Sequence, residues 1–433
     1  MEDLGAGAAG GGRGGARLVD SSATSGKAQV IVVGAGPAGS STAWHLTQLG
    51  IDVLLLDRAT FPRDKICAEC LSPQASRILS GMGAMDDIEA SHPAHLTGMR
   101  VRAPNGCEIS GSFVGRHGYR AFGDSGIAVR RSVLDAILVQ RASAAGARLV
   151  ERTRVTDVLR DAAGRVRGVS VLDENGGTRE LRASLVIGAD GLRSVVGRRL
   201  RLTRVSHIPR RMAFVAHFRN VPDVSEIGEV HVERDGYVGI ADVGQGLTTV
   251  GLVVTARTAR AAAGDPDAML DGWLAKHPHL ASRFAVAERT EPVRATGPFA
   301  SSTRRAWAHG AALVGDAADF FDPFTGEGVY SALRDGELLA PFAVEAATTD
   351  RRLSALALAE YDRARRAEFR GKWLVEKLIA GTVAVPALIN HAARALSRRK
   401  EMADLLVGVA GDFVPPSQVL RVGYFARLLL FGV

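Results

Sequence analysis

Gly34-Ala35-Gly36-Pro37-Ala38-Gly39 is the segment of this 433-residue chain whose residue types and spacing first promise chemistry. Its first, third and sixth positions suit a tight turn, a close approach of backbone to a pyrophosphate, and close helix–strand packing. A helix opening near Pro37 and Ala38 would aim bare amides and the positive end of its dipole at an anion. Asp57 follows 23 positions past Gly34. A carboxylate at the end of the next strand would meet ribose hydroxyls there and would repel a 2′-phosphate. The pair points to a dinucleotide of the FAD or NAD kind rather than NADP, and leaves those two open.

These residues work only if strands and a helix position them. Residues 1–27 are rich in Gly, Ala and Ser and are expected to be disordered. Ala28-Gln29-Val30-Ile31-Val32-Val33 reads as a strand buried on both faces. A helix from about Ala38 to Leu49 and a strand from Asp52 to Asp57 complete a βαβ unit. A helix is expected over 130–147, then strands over 148–159, 165–172 and 179–187. Alternation in Met212-Ala213-Phe214-Val215-Ala216-His217-Phe218 and in 248–254 predicts an antiparallel sheet with one solvated face. Ala311-Ala312-Leu313-Val314 reads as another buried strand, and the chain after about 326 as helices broken at Pro386 and Pro415-Pro416.

Composition narrows the partners. Net charge is +8, but most of the 54 basic residues are scattered Arg, with no basic run interleaved with aromatics. That pattern argues against nucleic acid. The three cysteines Cys67, Cys70 and Cys107 give no disulfide framework. Cys67 and Cys70 lack the second ligand pair a zinc site needs, so no metal is expected, and packing cysteines are favoured over a catalytic dithiol. His217 and His231, on the expected sheet, are candidates to orient or deprotonate a substrate, along with Cys67 as a candidate thiol, although histidines merely hydrogen-bonded within the sheet are the favoured reading and no catalytic residue is assigned. No apolar run reaches ~18 residues and no secretory pattern opens the chain, which predicts a cytoplasmic protein. Leu428-Leu429-Leu430-Phe431, with Arg421 and Arg427 nearby, is read as capping the core rather than touching a membrane.

Two further motifs, Leu185-Val186-Ile187-Gly188-Ala189-Asp190-Gly191 and Ala311-Ala312-Leu313-Val314-Gly315-Asp316, follow the glycine turn in order. Together the three resemble the aromatic-hydroxylase-like superfamily of FAD enzymes, over about Gln29 to Leu339. The resemblance implies an α/β fold: a Rossmann-like FAD-binding domain of the glutathione-reductase type with an inserted antiparallel-sheet substrate domain and C-terminal helices. The implied FAD-binding segments are 28–100, 125–200 and 295–345, the substrate sheet 101–124 and 201–294, and the helical region 346–433. It implies that Asp316 meets the ribityl chain, that Asp190 and Gly191 line a groove shared with the nicotinamide, and that Arg131 contacts phosphates or flavin. Arg58 and Val155 join the implied FAD-binding set. Pro323, Gly326 and Gly328 fit it on physical grounds as well. Glycines opening a helix would place amides beside the negative charge of reduced flavin.

No second Gly-x-Gly-x-x-Gly occurs, so NADH or NADPH would dock transiently as co-substrate. Phe61-Pro62-Arg63-Asp64-Lys65-Ile66-Cys67 is similar to the geranylgeranyl-reductase branch, in which a Cys lies near the flavin. Ala68 stands where that branch usually has Gly, and Tyr237-Val238-Gly239-Ile240-Ala241-Asp242 lacks its Trp and Phe-Pro. The halogenase Trp-x-Trp-x-Ile-Pro signature is missing too. The expectation is therefore monooxygenation, with O2, of a hydrophobic aromatic or prenylated secondary metabolite. A prenyl-chain reductase and a non-enzymatic binding protein on the same fold are the alternatives.

Overall fold

The computed structural model describes residues 27–115, 117–205, 210–261, 264–299, 301–326 and 328–430. The expected disordered tail lies outside these residues except for Lys27, which opens the first strand, and Phe431 lies outside them as well. β1 (Lys27–Val33) is buried from Val30 to Val33, and it pairs in parallel with β2 (Val53–Leu56) and with the strand Thr178–Gly188. Short strands Arg148–Val150 and Ala311–Leu313 extend this parallel sheet on its two sides. The strands Arg154–Arg160 and Val166–Leu172 continue from Thr178–Gly188 as an antiparallel meander. Helix α1 (Pro37–Gln48) covers the sheet and is itself packed against the helices Arg131–Ala144 and Gly328–Thr348.

Gly34 adopts φ +98°, and a Cβ there would meet the Ala189 carbonyl oxygen at 2.6 Å. At Gly39 a Cβ would come within 1.8 Å of the Gly34 oxygen. The helix can leave the strand this sharply only because both positions lack a side chain.

The second sheet is built around the four strands Arg211–Arg219, Thr248–Thr255, Gly236–Asp242 and Ile227–Glu233, paired antiparallel in that order. Gly98–Arg102 then adds in parallel to Ile227–Glu233, so this sheet begins before residue 101 and is not wholly antiparallel. The expected solvated face does not exist. Phe214, Val238, Val250 and Leu252 pack under Leu270, Trp273 and Leu274 of the helix Pro266–Lys276. The opposite face looks toward the C-terminal helices. The longest of these, Arg351–Val383, starts at Asp350, whose carboxylate accepts from the Arg352 and Leu353 amides.

Candidate active site

A cavity opens between the two sheets. It begins at Gly36, Pro37 and Ala38 and continues over the second sheet, beneath Phe369 and Trp373 of the long C-terminal helix. A Cβ on Gly36 would point toward the Arg63 and Arg131 guanidinium nitrogens, at 3.4 and 3.9 Å. The glycine turn therefore faces two cations across a gap lined by bare backbone, as a pyrophosphate site requires.

Arg131 is the first residue of its helix, yet it is buried and not a solvated helix-start arginine. Its Nε and Nη2 each donate to the carboxylate of the fully buried Asp135 at 2.8 Å. Arg63 Nη1 reaches the same carboxylate at 2.9 Å. Burial works against the Arg131 charge, but Asp135 and the neighbouring Cys67 outweigh it and hold the guanidinium firmly protonated. One buried aspartate thus fixes two arginines in front of the glycine turn.

Asp57 ends the second strand as expected, but its oxygens are already engaged. Oδ2 accepts from the Ala35 amide at 2.8 Å and Oδ1 from the Ala59 amide at 2.9 Å. It braces the turn. Arg58 beside it is exposed, and Val155 is packed in the core of the first sheet. Asp190 turns away from the cavity, and its Oδ2 accepts from the Val195 amide at 2.5 Å at the start of a short helix. Burial raises the Asp190 carboxyl. Gly191 does line the cavity, at φ +76°, with Lys65 Nζ 3.4 Å from where its Cβ would be.

Asp316 lines the cavity next to Gly315. Burial raises its carboxyl, with Lys65 and Arg131 pulling the other way. Burial and then Arg131 lower the Lys65 ammonium, against Asp316. Gly315 is held from behind: its amide donates to Asp335 Oδ2 at 2.8 Å, and Arg365 Nε bonds both Asp335 oxygens at 3.0 Å. Pro323, Gly326 and Gly328 all border the cavity, and Gly326 and Gly328 have no atom within 4 Å of a built Cβ. Glycines facing open space suit the approach of a flat ring to their amides.

The expected histidines are elsewhere. His217 Nε2 meets Glu69 Oε2 at 2.5 Å, and Nδ1 contacts Glu291. Burial opposes its protonation, but Glu69 and then Glu291 raise it overall. It clamps the loop after Cys67 to the second sheet and does not line the cavity. His231 bonds Glu229 at 2.8 Å and stacks on His279, also off the cavity. Cys67 does line the cavity, beside the Arg131 guanidinium. Cys70 lines it too, but burial, with Cys67 and Glu69, pushes its thiol up to about 12. A dithiol needing two ready thiolates is therefore disfavoured.

Beyond the glycine turn the wall becomes apolar. Val215, Gly251, Gly239 and Val230 lie in one cross-strand row and all face the cavity. Built Cβ atoms on the two glycines meet nothing closer than 3.7 Å. The row is a trough three strand spacings long, about 14 Å. Tyr237 rims it, with its hydroxyl donating to Asp322 at 2.7 Å. Glu376 is an ionisable group on this wall, and burial pushes its carboxyl up to about 7.

A phosphate-ready turn, a charged cradle and a flat glycine-lined recess joined to an apolar trough define a flavin oxidoreductase. Residues 27–370 match the model of the FAD binding domain family, so the chain belongs to that family and is an FAD-dependent oxidoreductase. It is 33% identical over 392 residues to digeranylgeranylglycerophospholipid reductase 2 of Methanopyrus kandleri, covering 89% of this chain and 93% of that protein. It is 29% identical to menaquinone reductase of Mycolicibacterium smegmatis, covering 75% of this chain and 78% of that one. Among solved structures, the myxobacterial chondrochloren halogenase is similar with a TM-score of 0.73 at 26% identity, covering 81% and 82% of the two chains.

Proposed function

We propose that this chain uses FAD to saturate carbon–carbon double bonds in a long prenyl chain. The observation that carries this is the trough: an apolar, glycine-floored channel about 14 Å long that is continuous with the flavin cradle. A compact aromatic ring would leave most of it unfilled, whereas several isoprene units laid end to end would fill it. The relatives named as digeranylgeranylglycerophospholipid and menaquinone reductases support the same chemistry. Reduction thus takes the place of the monooxygenation expected from the missing tryptophan signature. Gly239, where that signature would put Trp, instead widens the channel.

FAD fits the residues present, since Gly36 leaves the gap that Arg63 and Arg131 face and Asp316 stands at the cavity wall. Bound and reduced, it supplies the hydride. Arg63, Arg131 and the Ala38 amide at the start of α1 would bind the pyrophosphate, and the amides near Gly326 and Gly328 would hold the ring edge. The apolar wall excludes water and orients the alkene. Cys67 donates the proton to the second alkene carbon, and the Arg131 guanidinium stabilises the thiolate left behind. NADH or NADPH restores the electrons.

Anaerobic protein reduced with dithionite and given a geranylgeranyl lipid should return a product with two added hydrogens per reduced bond, by mass spectrometry. A product that forms only with O2 and carries a new oxygen atom would sink the proposal in favour of monooxygenation. Cys67→Ser should keep its flavin but lose most turnover; full activity would remove the thiol from the mechanism. Gly251→Val should still fold and bind flavin, since the first carbon it adds meets Val215 only at an ordinary 3.7 Å. The added methyls would occupy the trough and displace the chain, so turnover should fall roughly a hundredfold. Unchanged turnover would show that substrate does not lie there.

A further inference from the structure

Among the described residues, the carboxylates that line the cavity are engaged, with one exception. Asp319 and Asp335 share Arg365, Asp322 takes Arg211 at 2.7 Å and the Tyr237 hydroxyl, and Glu229 takes Arg283 at 2.7 Å. Asp316 belongs to the flavin cradle, with Lys65 and Arg131. Glu376 is left: no described residue gives it a hydrogen bond or an ion pair. It is half-buried, one turn beyond Trp373 and on the same helix face as Phe369. Water can serve such a carboxyl while the cavity is open. A substrate that fills the cavity expels that water and must then supply the partner itself.

The surroundings decide what atom that is. Trp373 stands against Phe321, with ring centroids 6.1 Å apart, and Lys377 lies over the Phe321 ring. Lys372 is held by Asp412 at 2.6 Å. The cations of the described lining are Lys65, Arg131 and Arg365. The first two face the cofactor, and the third is locked between Asp319 and Asp335. A diphosphate brought beside Glu376 would therefore meet a carboxyl and no lining cation to receive it. A neutral oxygen would meet a donor. Burial pushes the Glu376 carboxyl up to about 7, with Lys372 and Lys377 opposing the rise and Asp412 and Asp322 adding to it. Below that pH the group is an acid with an O–H to give.

We infer that Glu376 recognises the substrate's head: its carboxyl donates a hydrogen bond to a neutral oxygen, an alcohol or a quinone carbonyl, and turns away a diphosphate. The prenyl chain that carries this oxygen rests on the reductase reading; the hydrogen bond itself is tested without turnover.

Oxidised, flavin-loaded protein is equilibrated with geranylgeraniol, a prenylated quinone, geranylgeranyl diphosphate, or a prenyl hydrocarbon of equal length, and bound ligand is measured by dialysis. At least one neutral-oxygen ligand should bind more tightly than the diphosphate, and about tenfold less tightly near pH 8 than near pH 6, as the carboxyl ionises. Hydrocarbon binding should not change with pH. Glu376→Gln keeps a donor that does not titrate, so its affinity should match the wild type's near pH 6 and stay flat to pH 8. Glu376→Leu should keep flavin and the hydrocarbon, and lose about tenfold for the oxygen-bearing ligand. Should it fail to hold flavin, the pH profile of Glu376→Gln decides alone. A loss confined to the alcohol or to the quinone identifies the head. A diphosphate bound as tightly as the alcohol and the quinone, or affinities for both that ignore pH and the Leu substitution, would overturn the inference. Hydrocarbon binding would in that case leave the reductase reading standing. If no prenyl ligand binds, the hydrocarbon included, the reductase reading fails as well.

Discussion

Gly39→Ala protein should be recovered without flavin. A methyl at this position would lie 1.8 Å from the Gly34 carbonyl oxygen, 2.9 Å from the Gly34 carbonyl carbon and 3.3 Å from the Ala189 Cβ. Two of those atoms belong to backbone, which cannot rotate aside. Relief therefore requires α1 to move away from β1, and the N–H groups of its first turn, from Ala38 on, move with it. The cost should reach or pass the ~3 kcal/mol at the upper end of ordinary overpacking. Loss of the cradle's geometry should remove tight FAD binding even where the chain still folds. Gly81→Ala is the matched control, because a Cβ there meets nothing within 4 Å and its φ is ordinary. Flavin absorbance per protein, with urea midpoints for both variants, measures the difference. A Gly39→Ala protein carrying a full complement of FAD would contradict the packing account.

The second large effect is expected at Arg365→Leu. Arg365 is buried and bonds Asp335 through Nε, while its Nη1 meets Asp319 Oδ2 at 2.5 Å. Asp335 is 0% exposed and also holds the Gly315 amide. Removing the guanidinium strands two buried carboxylates, which should cost about 3–5 kcal/mol. Burial already raises both carboxyls, and Arg365 opposes that rise. Without it they rise further, so the folded variant binds more protons than the unfolded chain across the interval above the ordinary carboxylate range. Stability of the variant must then fall as pH rises through that interval. The deficit relative to wild type should be widest near about pH 8 and narrower near about pH 5. Urea unfolding at the two pH values tests it, and a deficit that is small or independent of pH would show that the two aspartates do not depend on Arg365.

The glycine turn and the two strands around it were readable because each is a demand of local backbone on contiguous residues, whereas the Gly315-Asp316 motif was readable through the resemblance. A turn at φ +98° or a helix leaving a strand at van der Waals limit writes itself as Gly at fixed spacing. The charged cradle was not readable in the same way. Arg63 and Lys65 stood out only as members of the Phe61–Cys67 stretch, and Asp135 was not singled out at all. In a chain this rich in Arg, composition cannot say which few are buried. Their assignment depends on Asp135, which gathers side chains from two segments. Arg365 left no signal, since its partners Asp319 and Asp335 lie far from it in sequence.

The partners of His217 were hidden for a related reason. A histidine on an apolar strand looks like a catalytic group until Glu69 and Glu291, from two other segments, are seen to take both ring nitrogens. The solvated face expected of the second sheet failed similarly, because helices from a later segment cover it.

By itself the sequence determined a dinucleotide-binding turn at Gly34, because close approach of backbone to backbone there admits only glycine, and the resemblance of its three motifs pointed that turn to FAD. Tertiary structure alone decided the shape of the substrate channel. Gly239 and Gly251 are separate glycines in the chain, and only the register of two antiparallel strands sets them side by side as its floor.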